Sequence, residues 1–291
     1  MNSNGPSVTA AVVASTLLLL EDDPHLAPLN AAPAPREVEA AVRRAIPFFG
    51  RLLDTVPWPV LERTARVAER LVSPGFVTHY ALRKLAIRRA LDAAIDAGHR
   101  QVVLVGAGFD MLSATLPEHV RVFEVDHPAT QSFRGTPDGV VLVPVDLVRA
   151  SVAEALAREQ AFDPRVDTVF VAEGLLMYFE ERVVNRVLGE LARGPGARTL
   201  IVSVVTPDAD GRVRLHSQRR VVDWIMRFID EPFLWGEAPD AMKRTLGRHG
   251  FDVASITSTM ELRDELLPEA ARRRLPRPSG EIVVVAKKPA A

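Results

Sequence analysis

The stretch that decides the fold is residues 101–108, with the sequence QVVLVGAG. Five residues rich in valine predict a buried β-strand. The glycines that follow, Gly106 and Gly108, allow a sharp turn and let the backbone approach a ligand closely. In open α/β sheets the ligand lies beyond the carboxyl ends of the strands. The stretch therefore predicts a strand of a parallel sheet that leads into a ligand-binding loop.

Similar apolar runs recur after this loop and alternate with helical segments. They cover Val120–Val125, Val140–Val145, Val166–Val171, Thr199–Val205, Phe251–Ile256 and Ile282–Ala286. An amphipathic helix is predicted just before the first strand, over Ala81–Ala97. Strands that are apolar throughout and alternate with helices are typical of parallel sheets covered on both faces. We expect an α/β fold with a seven-stranded, mostly parallel, Rossmann-like sheet.

The first part of the chain has a different texture. Residues 1–79 are rich in Ala, Pro and Arg and show helical spacing interrupted by prolines. We expect them to form a helical lid, and residues 80–291 to form the sheet domain. Inserts near 207–239 and 261–280 follow strands, where ligand-covering segments commonly lie. The apolar run Ala10–Leu20 lacks a preceding positive charge, so it is interpreted as a lid helix and not a signal peptide.

The composition of the chain excludes several classes of function. The chain has 291 residues, a formal net charge of -1 and no cysteine, which removes disulfides, thiolate catalysis and cysteine-bound zinc. Its near-neutral charge favours a small-molecule partner over nucleic acid, and no run is long enough to span a membrane. The histidines lack metal-ligand spacing, so no metal is expected. These features are typical of a cytoplasmic protein.

Acidic residues at three strand ends are the candidate binding residues. Asp126 lies 18 residues beyond Gly108, a spacing typical of carboxylates that bind ribose hydroxyls, although it could instead cap the next helix. Asp146, followed by Leu147, could meet an adenine ring, and Glu173 could lie near a cationic group. A dinucleotide fingerprint needs a third glycine or alanine where Met111 stands.

Four segments together resemble the leucine carboxyl methyltransferase family, including its bacterial branch of polyketide and other small-molecule O-methyltransferases. They are residues 80–83 (YALR), 101–110 (QVVLVGAGFD), 123–128 (FEVDHP) and 172–179 (AEGLLMYF). The resemblance is good over residues 79–192. Met111-Leu112 departs from the Thr-Arg pair that usually follows the glycine motif in that family.

The resemblance implies the class I methyltransferase fold, S-adenosylmethionine as cofactor, and a role for each matching residue. Arg83 is expected to bind the methionine carboxylate, and Glu173 to lie at the methionine end. The loop Gly106-Ala107-Gly108 would line the methionine and ribose portions. Asp126 would hold the ribose, Asp146 and Leu147 would bracket the adenine, and Tyr178 would face the transfer site.

The acceptor is expected to be a carboxylate or hydroxyl of a small organic molecule, of the kind made in secondary metabolism. A carboxylate needs no base, whereas a hydroxyl would be helped by one, for which His216 and His127 are candidates. Tyr178 and His216 are the two candidate catalytic residues. Two alternatives stay open: an S-adenosylmethionine-binding protein with a cyclase-type reaction, and an NAD(P)-dependent oxidoreductase. The acceptor's identity and the oligomeric state are left open.

Aromatic residues are concentrated in the first insert, at Trp224, Phe228, Phe233 and Trp235. Trp224 and Phe228 share helical spacing with Val221 and Ile225. The pattern suits core packing and an apolar substrate lid equally, since both bury apolar surface.

Overall fold

Seven strands of the described chain form one sheet in the order β3-β2-β1-β4-β5-β7-β6. The computed structural model describes residues 13, 16–20, 23–29, 35–109, 111–134, 138–275 and 280–290. The strands are β1 Gln101–Val105, β2 Arg121–Asp126, β3 Val140–Pro144, β4 Thr168–Ala172, β5 Arg198–Val205, β6 Asp252–Ser258 and β7 Glu281–Lys288. All seven lie within two residues of the predicted runs.

The α-helices are α1 Pro35–Ala45, α2 Pro47–Thr55, α3 Trp58–Val72, α4 Phe76–Asp96, α5 Pro128–Arg134, α6 Val152–Ala157, α7 Glu181–Leu191, α8 Arg220–Phe228, α9 Pro239–Arg248, α10 Thr259–Leu266 and α11 Glu269–Arg274. Helices α6, α7 and α9 pack on one face of the sheet. Helices α4 and α10 pack on the other. This arrangement matches the predicted sheet covered on both faces.

Strand direction fixes where a ligand can lie. β1 to β5 run parallel, and β1 is flanked by β2 on one side and β4 on the other. The chain therefore reverses its direction of winding between β1 and β4, which leaves a crevice at their carboxyl ends. β7 runs antiparallel between β5 and β6, with Glu281 paired opposite Val205. The first residue of β7 thus lies at the same edge as the ends of the parallel strands.

Side-chain alternation explains why the strands are apolar throughout. In β1, Val103 and Val105 pack with α7 on one face, whereas Val102 and Leu104 pack with α4 on the other. All five residues of β1 are buried, and the four that follow Gln101 are apolar, as expected for a strand covered on both faces. Buried polar side chains do occur inside other strands, among them Glu124 in β2 and Ser203 in β5.

The N-terminal helices cover the start of α4. Leu17 and Leu20, in the helical residues 16–20, are buried in one cluster with Val77, Tyr80 and Phe109. Helix α4 begins at Phe76, after Gly75 in the left-handed conformation, and not at Ala81 as predicted. The proposed boundary at residue 79 thus falls inside this helix, and the division into lid and sheet domain stays a prediction.

Core packing at the centre of the sheet supplies a stability test. Leu200 in β5 is fully buried, whereas Leu234 is 53% exposed. We expect Leu200→Ala to lower the free energy of unfolding by about 2–5 kcal/mol, because it leaves a cavity that neighbours fill only partly. Leu234→Ala, the matched control, should change it by less than about 0.5 kcal/mol. Urea denaturation measures both, and equal losses would contradict this assignment of the core.

Candidate active site

A cavity of about 420 Å3 lies at the carboxyl ends of β1, β2 and β4. Its floor contains the strand-end residues Gly106, Ala107, Gly108, Asp126, Glu173 and Gly174. Helix α4 contributes Phe76, Tyr80, Arg83 and Lys84, and the first insert contributes Leu215, Gln218, Val222, Ile225, Met226, Ile229, Glu231 and Phe233. The volume falls in the range of about 300–1,000 Å3 that is typical of small-molecule sites.

The loop after β1 requires glycine at Gly106. Its φ is +73°, and a Cβ there would lie 2.7 Å from Leu175 Cδ1. The Gly106 amide donates to the Val125 carbonyl at 2.7 Å, which fixes the loop against β2. Gly108 also has a positive φ, of +54°. The predicted close-approach loop, with Ala107 between the two glycines, therefore lines the cavity as expected.

Asp126 is oriented by the same loop. Its Oδ2 accepts from the Gly108 amide and its Oδ1 from the His127 amide, each at 2.6 Å. An ionised carboxylate accepts hydrogen bonds, as a partner of hydroxyl donors must. The helix that follows is capped by His127, whose Nδ1 accepts from the Ala129 amide at 3.2 Å. Asp126 is therefore not needed as the helix cap, and its ribose-binding role stays a prediction.

An ion-pair network occupies the opposite end of the cavity. Arg83 Nε lies 2.9 Å from Glu173 Oε1, and Arg83 Nη1 lies 3.0 Å from Glu281 Oε2. Lys84 Nζ lies 2.7 Å from Glu173 Oε2. Each of these four side chains is at most 10% exposed, and the pairing compensates for the loss of hydration.

His79 extends this network below the cavity. Its Nε2 lies 2.5 Å from Glu281 Oε2, and its Nδ1 lies 3.1 Å from Thr259 Oγ1. Burial alone raises the pKa of Glu281, but Arg83 and His79 outweigh it, so the pKa lies below the ordinary value. Burial lowers the pKa of Arg83, but Glu281 and Glu173 raise it by more. The pKa therefore lies above its ordinary value, and the guanidinium stays charged.

The charges of the cavity wall favour a cationic ligand. Among the described lining residues, four carboxylates face two cations: Asp126, Glu173, Glu231 and Glu281 against Arg83 and Lys84. A negative excess in a largely apolar wall stabilises a positive charge such as a sulfonium or ammonium group. S-adenosylmethionine carries both groups, together with a carboxylate that suits Arg83 and ribose hydroxyls that suit Asp126. The donor set therefore fits this cofactor.

The structure does not bring every predicted residue to the cavity. Asp146 and Leu147 follow β3, but neither is among the described residues that line the cavity. Asp146 Oδ1 accepts from the Val148 amide at 2.9 Å, and Leu147 is part of the core. His216 is exposed and hydrogen-bonds to the Thr206 carbonyl. The adenine-binding role of Asp146 and Leu147 stays a prediction.

The first insert supplies both cavity wall and outer surface. Tyr178 lines the cavity, and its ring packs edge-on against Phe233 with centroids 5.5 Å apart. Trp235 is buried in the core. Trp224 and Phe228 stack on each other but are 65% and 78% exposed, so these two rings serve neither role suggested by their spacing.

Lys84, Glu231 and Glu281 line the cavity although the sequence analysis did not select them. Glu281 carried a usable signal, because it precedes the apolar run Ile282–Ala286 as a lone carboxylate. Its position at the site depends on β7 running antiparallel, which the pattern of apolar residues does not specify. Lys84 directly follows Arg83 in the sequence, and this proximity is the signal that could have predicted it as a residue of the site.

The described residues contain no candidate for a metal site or a membrane-spanning helix. No group of three or more His, Asp or Glu side chains there could hold a metal ion. No helix in those ranges is both long and apolar enough to cross a membrane.

Residues 51–192 match the leucine carboxyl methyltransferase family. A protein of Parafrankia sp. named "Putative S-adenosyl-L-methionine-dependent methyltransferase Franean1_4929" is 30% identical over 232 residues, covering 74% of this chain and 70% of that protein. The chain belongs to the leucine carboxyl methyltransferase family. The predicted family, enzyme class and S-adenosylmethionine cofactor are thereby confirmed.

Further relatives agree with this assignment. A Mycolicibacterium smegmatis protein with the same description is 29% identical to this methyltransferase, covering 91% of this chain and 88% of that protein. A solved structure from Thermobifida fusca, described as a "putative methyltransferase", has a TM-score of 0.56 at 18% identity and covers 79% of this chain and 88% of that one. A DUF574 family protein from Streptomyces avermitilis has a TM-score of 0.56 at 17% identity, covering 78% and 90%. Both structures support the predicted fold class.

The ion pair between Glu281 and Arg83 predicts how the stability of the fold depends on pH. Because the folded-state pKa of Glu281 lies below its ordinary value of about 4.5, ionisation stabilises the fold above that pH. This contribution is lost as the pH falls through the folded-state pKa. We expect the wild-type free energy of unfolding to fall more steeply than that of Glu281→Gln between roughly pH 6 and pH 3. Urea denaturation at each pH measures this, and parallel curves would contradict it.

Proposed function

We propose that this methyltransferase acts on an oxygen atom, a carboxylate or a hydroxyl, of a small and largely apolar organic molecule. The observation that carries the proposal is a single cavity with a charged end at Arg83 and Glu173 and an apolar wall from the first insert. The charged end suits the cofactor, and Val222, Met226 and Phe233 suit an apolar acceptor. Such acceptors are typical of secondary metabolism.

The residues that would hold the cofactor are those around the charged end and the glycine loop. Arg83 would bind the methionine carboxylate, and Glu173 would lie beside the amino group. The backbone of Gly106, Ala107 and Gly108 would pass along the ligand, and Asp126 would accept from the ribose hydroxyls. Each of these residues lines the cavity, which supports the assignment.

The chemistry supplied by bound S-adenosylmethionine is an activated methyl group on a sulfonium. The protein's task is then to align the acceptor and to exclude water, and alignment alone can lower a barrier by about 7–11 kcal/mol. The first insert and the start of α4 cover the cavity and would exclude water. Tyr178, in the 3-10 turn after β4, would orient the acceptor. Of the two catalytic candidates, Tyr178 and His216, Tyr178 is among the described residues that line the cavity.

Methyl transfer accounts for the site better than the two alternatives. An NAD(P)-dependent oxidoreductase would need the third glycine or alanine that Met111 replaces. A cyclase-type reaction would leave the activated methyl group of the bound cofactor unused, and relatives of this chain are named methyltransferases.

We expect Asp126→Ala to weaken S-adenosylhomocysteine binding about 10- to 100-fold, because hydrogen bonds to a charged group contribute about 1.5–3 kcal/mol. Isothermal titration calorimetry measures the affinity. Asp240→Ala, at an exposed carboxylate of α9, should leave it unchanged. Transfer of labelled methyl from S-adenosylmethionine into a pool of apolar small molecules should fall in parallel. Unchanged affinity in Asp126→Ala would refute the site, and absent transfer by wild type would refute the function.

A further inference from the structure

Helix α8 exposes two large aromatic side chains to solvent. Trp224 is 65% exposed and Phe228 is 78% exposed, and their rings stack with centroids 5.8 Å apart. Val221 and Ile225 of the same helix are 47% and 41% exposed. Single exposed apolar residues are common on protein surfaces, whereas a group that includes two stacked aromatic rings is typical of a surface that contacts a partner or a membrane.

Helix α3 contributes further exposed apolar side chains next to α8. Val60, Val67 and Leu71 are 53%, 48% and 60% exposed, and their spacing places them on one face of the helix. The Arg219 amide, at the start of α8, donates to the carbonyl of Val72, at the end of α3, at 3.0 Å. The two helices are therefore in contact, and we name the exposed side chains of α3 and of residues 219–228 the α3–α8 surface.

Basic residues accompany the apolar residues of this surface. The exposed charged side chains in α3 and in residues 219–228 are all arginines, namely Arg63, Arg70, Arg219, Arg220 and Arg227. The whole chain has a formal net charge of -1, so this positive charge does not follow from the overall composition. The exposed Asp230 lies beyond the end of α8.

The acidic side chains of the same segments are half-buried and bonded within the protein. Glu62 Oε1 accepts from Arg66 Nε at 2.7 Å, and Glu69 Oε1 accepts from a backbone amide of α4 at 3.1 Å. Asp223 Oδ2 lies 3.3 Å from Arg214 Nη1. The arginines therefore dominate the charge that the α3–α8 surface presents to solvent.

The other side of α8 faces the cavity. Val222 and Met226 line the cavity, whereas Trp224 and Phe228 are not among its described lining residues. Val72, at the end of α3, lines the cavity as well. The α3–α8 surface therefore lies directly outside one wall of the site.

The charge of the α3–α8 surface decides between possible occupants. In a symmetric dimer both subunits use the same patch, so arginines would meet arginines, which is unfavourable. Anionic lipid headgroups complement the arginines instead, and the boundary between headgroups and acyl chains accommodates tryptophan and phenylalanine. A helix with aromatic residues on one side and arginines beside them is typical of helices that lie in a membrane interface.

We propose that the α3–α8 surface binds anionic lipid bilayers, with Trp224 and Phe228 inserted at the boundary between headgroups and acyl chains. The arginines would lie among the headgroups. The protein would rest on the bilayer and not span it, since no described helix is long and apolar enough to do so.

This arrangement places the cavity wall formed by Val222 and Met226 next to the lipid. An apolar acceptor would dissolve in the same bilayer and could enter the site without crossing water. The role in acceptor delivery rests on the proposed function, whereas lipid binding itself does not.

Co-sedimentation of the full chain with vesicles tests the proposal. At low ionic strength we expect binding to vesicles of phosphatidylglycerol and phosphatidylcholine in equal parts, and none to phosphatidylcholine alone. High salt should weaken binding because it screens the arginines. The double variant Arg220→Gln and Arg227→Gln should bind about 10- to 30-fold more weakly, since each arginine near an anionic surface contributes about fivefold. The double variant Trp224→Ser and Phe228→Ser should bind at least about tenfold more weakly.

Tryptophan fluorescence locates the contact on the protein. The emission of wild type should shift to shorter wavelength when the mixed vesicles are added, because the Trp224 ring leaves water. Trp224→Phe should remove most of this shift and still sediment with the vesicles, since phenylalanine also inserts. A shift of unchanged size in Trp224→Phe would contradict the proposed orientation.

Matched controls are Val148→Ser, at a valine that is 44% exposed, and Arg182→Gln, at an exposed arginine of α7. Both should bind vesicles as wild type does, and an unaltered circular dichroism spectrum shows that each variant is folded. Calorimetry with S-adenosylhomocysteine tests the proposed function separately, because the substituted residues are not among the described lining residues of the cavity.

Three results would overturn the lipid proposal. The first is failure of wild type to sediment with the mixed vesicles, or equal binding by wild type and both double variants. The second is a dimer in analytical ultracentrifugation that the Trp224→Ser and Phe228→Ser variant does not form, which would assign the surface to a second copy of the chain. The third is binding of poly-L-glutamate in place of the vesicles, which would assign it to an acidic protein.

Discussion

Two buried cations of α4 contact two buried carboxylates, one directly after β4 and one at the first residue of β7. Arg83 lies between Glu173 and Glu281, and Lys84 shares Glu173. Removing Glu173 takes a partner from both Arg83 and Lys84, and removing one partner of a buried ion pair typically costs about 3–5 kcal/mol. Because these residues come from α4, from the position after β4 and from the start of β7, the network constrains how three distant parts of the chain assemble. It also places a fixed array of charge at one end of the cavity.

The remainder of the cavity is built outward from that array. The Gly174 amide, next to Glu173, donates to Ser203 Oγ at 2.8 Å and joins the end of β4 to β5. At the other end, Asp126 holds the glycine loop through the Gly108 amide. Carboxylates therefore lie at both ends of the cavity, and Val222, Met226 and Phe233 of the first insert form part of its apolar wall.

Local patterns in the sequence were sufficient for the sheet and for the residues at the ends of its parallel strands. Apolar runs located the strands, and Gly106, Asp126 and Glu173 were found because each follows one directly. Glu281 could not be placed in this way, because its proximity to Arg83 depends on an antiparallel pairing between distant segments. The orientation of α8 could not be predicted either, because it depends on contacts with distant residues. The helical periodicity of α8 was visible in the sequence, but the exposure of Trp224 depends on which face of α8 packs against the rest of the chain. The position of Glu231 in the cavity wall depends on the turn at Asp230, where the left-handed backbone would have led us to expect glycine.

We propose that the Arg83 network and Asp126 form the two ends of one cofactor site. A crystal structure of the complex with S-adenosylhomocysteine tests this most directly. We expect the amino-acid portion of the ligand beside Arg83 and Glu173, with the ribose hydroxyls within hydrogen-bond distance of Asp126. A ligand bound in the reverse direction, or outside this cavity, would contradict it.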